Sequence, residues 1–470
     1  MGLEWRNFRV EDIAAEQPNA LATGPFGSAI SAKFFVDEGV PVIRGSNLSA
    51  DIGVRLIDEN MVFVSPEKAK EFSRSLVKRG DLVFTCWGTI NQVGLIDERS
   101  RWHEYIVSNK QMKLTVDPGK AHSTYIYYVF SSPEKQQEIL SNGIGAAVPG
   151  FNLGQLKKHM LRLPPLETQE AIVRRIQSID DKIDLNRRIN QTLEAMAQAI
   201  FKSWFVHFDP VKAKIAAIEQ GEDPLRAAMR AISGKTDAQL DQMPREYHDQ
   251  LAATATLFPD AMEASELGEI PKGWAFQAAD LLTEVGIGKT PPRKEPQWFT
   301  EGEGDWRWVS IRDMGVSGVF QQRSSEFLTS EAVSRFNVRV VPDRTVLLSF
   351  KLTIGRVALT DGPMVTNEAI AHFKLPTDAA ISSEYLYLYL KSFDYVMLGS
   401  TSSIADAVNS KTIREMPIVV ASRSLIDRFT RSVAPLFMEM KNRQNEITSL
   451  CATRDALLPK LISGEVEVSL

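Results

Sequence analysis

The sequence predicts an α+β protein with two related globular domains, each followed by a long helix. Three observations support this organisation. A heptad pattern of apolar residues runs through residues 172–204, and a similar pattern recurs 257 residues later, at 429–461. Short β-rich runs and Gly-containing turns recur in the same order upstream of both patterns. We therefore expect an internal duplication in which the long helices cover each other's apolar seams.

Length and composition are those of a folded protein with more than one core. The chain has 470 residues, of which 44% are hydrophobic and 24% charged. The N-terminal residues lack the apolar run of a signal peptide, and no stretch of about 18 apolar residues is present. We therefore expect a cytoplasmic protein without membrane association. Two cysteines are too few for a disulfide framework or a Cys-based zinc site.

The net charge of −5 is unevenly distributed. Residues 209–271 contain twelve acidic and six basic side chains, so the remainder of the chain carries about +1. The charge does not predict a uniformly basic surface. A surface that binds nucleic acid would have to arise from local clustering of cations, with basic partners supplying further phosphate contacts.

The first globular domain is assigned to residues 1–162. Its β-rich runs alternate with turns, and helical patterns at 67–76 and 124–140 interrupt them. This mixture is typical of an α+β domain.

The first long helix is assigned to 163–208, with Thr168 as its N-cap and Asp209-Pro210 as its end. Asn186 and Asn190 occupy seam positions where apolar residues would be more stabilising. They are either a weak point in the helix or a polar layer that fixes register. The apolar residues of this seam are Ile172, Ile176, Ile179, Ile183, Leu193, Ile200 and Trp204.

The second half repeats this arrangement after an inserted segment. Residues 209–266 are acidic and helical in pattern, and we interpret them as an insertion or linker. The second globular domain is assigned to 267–420 and the second long helix to 421–470, with a kink expected at Pro435. The seam of this helix consists of Phe429, Val433, Leu436, Met440, Leu450, Leu457 and Leu461.

The sequence predicts neither a catalytic centre nor a metal site. The six histidines lack metal-ligand spacing. The segment from Gly286 to Thr290 lacks the first glycine of a phosphate-binding loop, and Pro291-Pro292 blocks entry into a helix. The neighbouring carboxylates Asp180 and Asp181 lie between seam positions and are expected to face solvent.

Polar and basic residues lie beside aromatic residues in loops of both globular domains. Arg and Lys suit guanine edges, whereas Asn and Gln suit adenine edges, so these loops are candidates for reading the DNA major groove. A role in folding or on the surface is the alternative for each residue. The candidates are Ser28, Arg44, Asn47, Trp87, Thr89, Asn91, Gln92 and Lys110 in the first domain, and Lys289, Arg293, Lys294, Arg307, Arg312, Lys351, Thr353 and Arg356 in the second.

Several of these stretches resemble the specificity subunits of Type I restriction-modification systems. Leu163-Pro164-Pro165-Leu166 and residues 190–206 resemble the central conserved region of that family. Residues 457–465 resemble its C-terminal conserved region. The framework of its target-recognition domains is similar to residues 24–28, 43–48 and 80–85.

The resemblance implies two target-recognition domains joined by an antiparallel, pseudo-twofold coiled coil of conserved long helices. Each domain would read half of a bipartite site in double-stranded DNA. Two methyltransferase (M) subunits and restriction/translocase (R) subunits would assemble on the chain, which would itself be non-catalytic. S-adenosylmethionine, ATP and Mg²⁺ would bind to those partners, and the complex would carry out adenine-N6 methylation and restriction in host defence.

Two departures from the family pattern weaken strict twofold equivalence of the two halves. Met416-Pro417-Ile418-Val419 stands in place of a second Leu-Pro-Pro-Leu, and Pro435 lies inside the second helix. Two alternatives differ in class from a DNA reader. The chain could be a coiled-coil assembly scaffold without sequence readout, or an autonomous enzyme.

Overall fold

The computed structural model describes residues 4–143, 150–301, 304–398 and 408–468. The chain forms two compact units. The first unit comprises Met1–Asp184 and Thr448–Leu470, and the second comprises Leu185–Ile447. Each unit contains sheets, short helices and one part of each long helix, which confirms the predicted α+β class with two domains and two long helices.

The first unit contains two main sheets and a two-stranded ribbon. The ribbon pairs Arg6–Arg9 with Met160–Leu163 in antiparallel fashion. One sheet is antiparallel, with the strand order Leu21–Thr23, Gln111–Thr115, Asp81–Thr85 and Val93–Leu95. The other sheet is mixed, with the order Phe35–Val36, Val62–Val64, Val40–Ile43, Glu104–Val107 and Leu76–Lys78.

Short helices connect these strands. The helix predicted at 67–76 ends at Glu71, and the pattern at 124–140 is divided into two helices. The division occurs because Pro133 begins a new helix, for which the side chain of Ser132 is the N-cap. The α-helices are Pro66–Glu71, Ser123–Ser131, Pro133–Ser141 and Leu153–Lys158, and the 3₁₀ turns are Val10–Asp12, Ala32–Phe34, Gly45–Asn47 and Ser73–Ser75.

The second unit also has two main sheets and a ribbon, the latter formed by Ala275–Ala278 and Pro417–Val420. One sheet has the order Glu284–Ile287, Ile370–Lys374, Val346–Ser349, Val357–Thr360 and Phe320–Gln321. The other has the order Phe299–Glu301, Glu326–Leu328, Trp306–Val309 and Val365–Thr366. The short helices of this domain are Ala279–Leu282, Pro296–Trp298, Ile311–Val316, Ser330–Arg335, Ser383–Ser392, Tyr395–Leu398 and Ser410–Arg414.

The two units repeat one topology. Each mixed sheet contains a parallel pair at the corresponding place, Val40–Ile43 with Glu104–Val107 and Trp306–Val309 with Val365–Thr366. Asn152 and Asn409 cap corresponding helices with their side chains. The duplication seen in the sequence therefore extends to a shared set of strands and their pairing directions. The edge strands differ, because Leu76–Lys78 extends the mixed sheet of the first unit, whereas Phe320–Gln321 pairs in parallel with Val357–Thr360 in the second.

The acidic segment forms a small helical subdomain followed by a hairpin. Its core contains Ala228, Met229, Leu240 and Ala255. The side chain of Lys214 donates to Phe258 O at 2.6 Å and joins the first helix to the end of the last. The sequence pattern indicated only helices, whereas the structure adds the hairpin. The elements are Asp209–Gln220, Pro224–Ser233, Asp237–Asp241, Arg245–Thr256, Met262–Ser265 and Gly268–Pro271.

The long helices are Leu166–Phe205 and Arg423–Ser463. Thr168 is not the N-cap, because the first helix begins at Leu166 and the hydroxyl of Thr168 is buried without a hydrogen-bond partner. The second helix continues through Pro435. No helix among the described residues combines the length and apolar character needed to cross a bilayer.

The long helices run antiparallel within each unit. In the first unit, Arg454 Nη1 lies 3.2 Å from Asp180 Oδ1. In the second unit, the rings of Phe201 and Phe429 are 5.8 Å apart. Early residues of one helix therefore meet late residues of the other.

The seam residues differ in burial. Fully buried are Ile172, Ile176, Ile183, Trp204, Phe429, Val433, Met440 and Leu461. Half-buried are Ile179, Leu193, Ile200, Leu436, Leu450 and Leu457. The seam assignment did not include Phe201, Phe205, Phe437 and Leu458, which are also buried.

Candidate nucleic-acid interface

The first unit contains a polar cleft of about 530 Å³. Three loops surround it, and each lies at the end of a strand, one in the mixed sheet and two in the antiparallel sheet. One begins at Arg44, directly after Val40–Ile43, and another contains Trp87, shortly after Asp81–Thr85. The third contains Lys110, directly before Gln111–Thr115. The candidates that line the cleft are Arg44, Trp87, Thr89, Gln92 and Lys110.

The cleft contains polar atoms without a partner within the protein. Thr85 is only 3% exposed, and its Oγ1 has no hydrogen-bond partner. The Nε of Arg44 is buried and also lacks a partner. Because an unpaired buried polar atom is costly, both atoms are available to a ligand that enters the cleft.

Trp87 forms an apolar edge of this cleft. Its side chain is 50% exposed. A Cβ at Gly150 would lie 2.6 Å from the indole, so glycine is required there for the ring to pack against the backbone. An exposed ring held in this way can stack on a planar group such as a nucleobase.

Three other candidates of the first unit have different surroundings. Asn47 is buried and does not face solvent, because its Oδ1 accepts from Arg44 N at 3.0 Å and its Nδ2 donates to Ile57 O at 3.0 Å. This corrects the assignment of Asn47 as a DNA contact and makes it the residue that positions Arg44. Ser28 is exposed and Asn91 half-buried, and neither lines the cleft.

Corresponding loops meet at one end of the second unit. Arg356 Nη1 donates to Ile311 O at 2.6 Å, which joins the turn after Val346–Ser349 to the helix Ile311–Val316. Lys289 N donates to Thr366 O at 2.9 Å and brings a third loop to the same place. The candidates exposed on these loops are Lys289, Arg293, Lys294, Arg312, Lys351 and Thr353.

Three arginines predicted to contact DNA have partners within the second unit. Arg293 forms a bidentate pair with Glu326, at 2.5 and 2.9 Å, and its guanidinium lies over the ring of Phe299. Arg307 donates to two backbone carbonyls, those of Gln322 and Asp361, at 2.6 and 2.7 Å. With Arg356 bonded to Ile311, all three arginines brace the loops, and the prediction that they contact DNA stays a prediction.

A buried ionic cluster lies in the first unit, away from the cleft-lining residues. Asp180 is 1% exposed, which contradicts the prediction that it faces solvent. It accepts a hydrogen bond from Tyr128 OH at 2.8 Å and lies 3.6 Å from Arg55 Nη2. Arg55 also pairs with Asp97 at 2.6 Å. Burial of Arg55 disfavours its charged form and by itself would lower the pKa of the guanidinium. The interactions with Tyr128, Asp97 and Asp180 favour the charged form more strongly, so the pKa is raised.

The cluster joins both long helices to loops of the first globular domain. Arg454 of the second helix lies 3.2 Å from Asp180 and 3.3 Å from Asp51 Oδ1. The neighbouring carboxylate, Asp181, is exposed and lies 3.2 Å from Arg99. The sequence gives no local signal for these pairs, because their members lie far apart in the chain.

The two seam asparagines form a polar layer in the second unit. Asn186 is fully buried, and its Oδ1 accepts from Arg443 Nη1 at 3.1 Å. Asn190 Nδ2 donates to Met440 O at 3.2 Å. These bonds between the two helices match the polar-layer interpretation, but Asn186 Nδ2 and Asn190 Oδ1 are buried without a partner, so each amide is only half satisfied.

These observations define a two-domain α+β protein in which each copy of a duplicated fold presents a set of polar loops. The family model described as "Type I restriction modification DNA specificity domain" matches residues 4–195. The HindI specificity subunit of the Type I restriction enzyme of Haemophilus influenzae is 30% identical over 411 residues, which cover 84% of this chain and 88% of that protein. The chain therefore belongs to the family of Type I restriction enzyme specificity subunits.

More distant relatives also match most of the length of this chain. The MjaIX specificity subunit of Methanocaldococcus jannaschii is 21% identical over 86% of this chain and 82% of its own length. Among solved structures, the Type I restriction-modification S subunit from M. genitalium matches 98% of this chain and 96% of its own, with 13% identity and a TM-score of 0.48. The HsdS subunit from Thermoanaerobacter tengcongensis matches 98% and 97%, with 14% identity and a TM-score of 0.31.

Proposed function

We propose that this chain is the DNA sequence-recognition subunit of a Type I restriction-modification complex, with one target-recognition domain in each unit. The observation that carries the proposal is that polar loops follow two pairs of corresponding strands, Val40–Ile43 with Trp306–Val309 and Asp81–Thr85 with Val346–Ser349. In the first unit these loops form a cleft with an exposed tryptophan, an exposed lysine, a half-buried arginine and unpaired buried polar atoms. Such a surface can contact both base edges and phosphates.

The two sets of loops differ in the side chains that they present. Two residues after corresponding strands, the first unit has Trp87 and the second has Lys351. A shared framework with different contact residues supports the reading of two different half-sites.

The proposal includes partners and cofactors that lie outside this chain. Two methyltransferase subunits and restriction/translocase subunits would assemble on it in the cytoplasm, and S-adenosylmethionine, ATP and Mg²⁺ would bind to those partners. This chain would contribute specificity without catalysis. Its net charge of −5 is consistent with partners that provide part of the phosphate contact.

A domain exchange tests this function. Replacing residues 1–160 with the corresponding segment of another family member should change one half of the methylated sequence and leave the other half unchanged. The matched exchange of residues 267–420 should change only the other half. Methylation mapping of cellular DNA measures both, and a change in both halves from either single exchange would contradict the proposal.

Binding of the assembled methyltransferase complex to DNA separates this function from the scaffold alternative. At one stated salt concentration, a recognition subunit should bind a cognate duplex at least about 10³-fold more tightly than an unrelated one. A scaffold without readout would give equal affinities.

A further inference from the structure

Leu352 occupies an unusual conformation in the second unit. Its φ is +61°, and its side chain is 90% exposed. Thr353 N donates to Lys351 O at 2.6 Å, so Leu352 is the central residue of a three-residue turn. A turn of this kind with a positive central φ is rare and strained.

Both the backbone and the side chain of Leu352 are unfavourable for folding. The left-handed region is strained for any residue with a Cβ, and an exposed leucine gains nothing from burial. Glycine would adopt this conformation without strain. The corresponding residue of the first unit is Gly88, with a φ of +90°. The leucine therefore serves a purpose other than the stability of this unit.

The surrounding residues hold the turn in place. Ser349 is fully buried, and its Oγ donates to Thr353 O at 2.6 Å. The same Oγ accepts from Arg356 N at 3.0 Å. Strain that is fixed by its surroundings in this way is typical of a residue that is pre-positioned for contact.

The turn lies at the end of the sheet that carries the exposed cations. It follows Val346–Ser349, and Arg356 joins it to the helix that contains Arg312. Lys351 and Thr353, both exposed, flank the leucine. An apolar tip between a cation and a hydroxyl matches the surface of duplex DNA, where phosphates border grooves that expose base edges and thymine methyl groups.

We propose that Leu352 is a specificity-determining residue of the second target-recognition domain and makes an apolar contact with bases of its half-site. Lys351 contacts the adjacent phosphate. This inference rests on the proposed DNA-recognition function and assigns one base-contacting side chain within it.

The test uses the chain assembled with its methyltransferase subunits and a set of duplexes in which each base pair of both half-sites is varied. Leu352→Ala and Leu352→Gly should each reduce discrimination at one or two neighbouring base pairs by at least about fivefold. Preferences in the other half-site should remain those of the wild type. Leu352→Gly should be at least as resistant to thermal unfolding as the wild type, because glycine relieves the strain.

Two matched variants show that the effect belongs to this position. Leu281 is 76% exposed but lies at the opposite end of the sheet, beyond the pairing of Glu284 with Lys374. Leu281→Ala should leave every preference unchanged. Lys351→Gln should weaken binding to all sequences about equally and reduce its salt dependence.

The inference is wrong if both Leu352 variants keep wild-type preferences at every base pair while the wild-type complex still separates cognate from unrelated DNA. It is also wrong if Leu281→Ala relaxes the same positions, since exposed apolar area in general would then be responsible. If the wild-type complex shows no preference at all, the proposed function itself fails, and this inference falls with it.

Discussion

Among single residues, His372 links the stability of the second unit to pH. It is buried on the strand Ile370–Lys374, with Nε2 2.6 Å from Thr366 Oγ1. Burial, with a smaller contribution from the nearby Arg339, lowers the pKa of His372 to about 3. In the unfolded chain the pKa is about 6.5. As the pH falls, the unfolded chain therefore takes up a proton at this histidine at a higher pH than the folded chain does. The free energy of unfolding decreases as the pH falls from about 6.5 towards 3.

Replacing His372 should remove that pH dependence. Between pH 6.5 and pH 4 the wild type should lose about 3 kcal/mol of unfolding free energy through this group. His372→Gln should flatten this slope, as measured by urea denaturation at several pH values. Equal slopes for His372→Gln and the wild type would contradict the assignment.

Trp87 gives a residue-scale test of the cleft in the first unit. Trp87→Ala should weaken binding of cognate DNA by the assembled complex by about 1–3 kcal/mol, because a stacking surface is lost. Trp87→Phe should restore part of the affinity. Thermal stability should change little, since the ring is half exposed. Tyr247→Ala, which removes an exposed aromatic ring from the acidic subdomain, should have no effect on binding.

At the scale of the element, the heptad pattern predicted the long helices but not the full width of their buried face. A two-helix seam requires only one apolar stripe. In the structure, Phe201 contacts Phe429 of the other helix and also Tyr385 of the globular part of the second unit, with ring centres 5.8 and 5.3 Å apart. Each helix therefore buries a second stripe, and a pattern read along one helix cannot reveal which third element covers it.

Two neighbouring seam residues provide a graded test of the helix pair. Ile183 is fully buried, whereas Ile179 is half-buried. Ile183→Asp should destabilise the first unit by about 3 kcal/mol or more, because the carboxylate would be buried without a partner. Ile179→Asp should cost less than half as much, since its carboxylate can reach water. Circular dichroism during thermal unfolding measures both, and equal losses would show that the seam has been misassigned.

At the scale of the whole molecule, the sequence was sufficient for the duplication, the α+β class and the order of the elements. These features depend on periodic patterns and on repeated spacing, which are local properties of the chain. The roles of individual polar residues depended on distant partners. Arg293 and Lys294 are neighbours in the sequence and both are exposed, yet only Arg293 is paired with a carboxylate among the described residues, that of Glu326. No local pattern distinguishes two such cations.

The ionic cluster of the first unit also limits how this chain can be recombined with its relatives. At the positions that correspond to Asp180 and Arg454 through the 257-residue spacing, the second unit has Phe437 and Ala197. The two units are thus interchangeable in topology but not in their attachment to the helices. A foreign domain grafted before residue 163 that lacks counterparts of Arg55 and Asp51 would leave the buried Asp180–Arg454 pair of the host helices without its two other partners. We therefore expect such a chimaera to be less stable than one whose donor domain carries both counterparts.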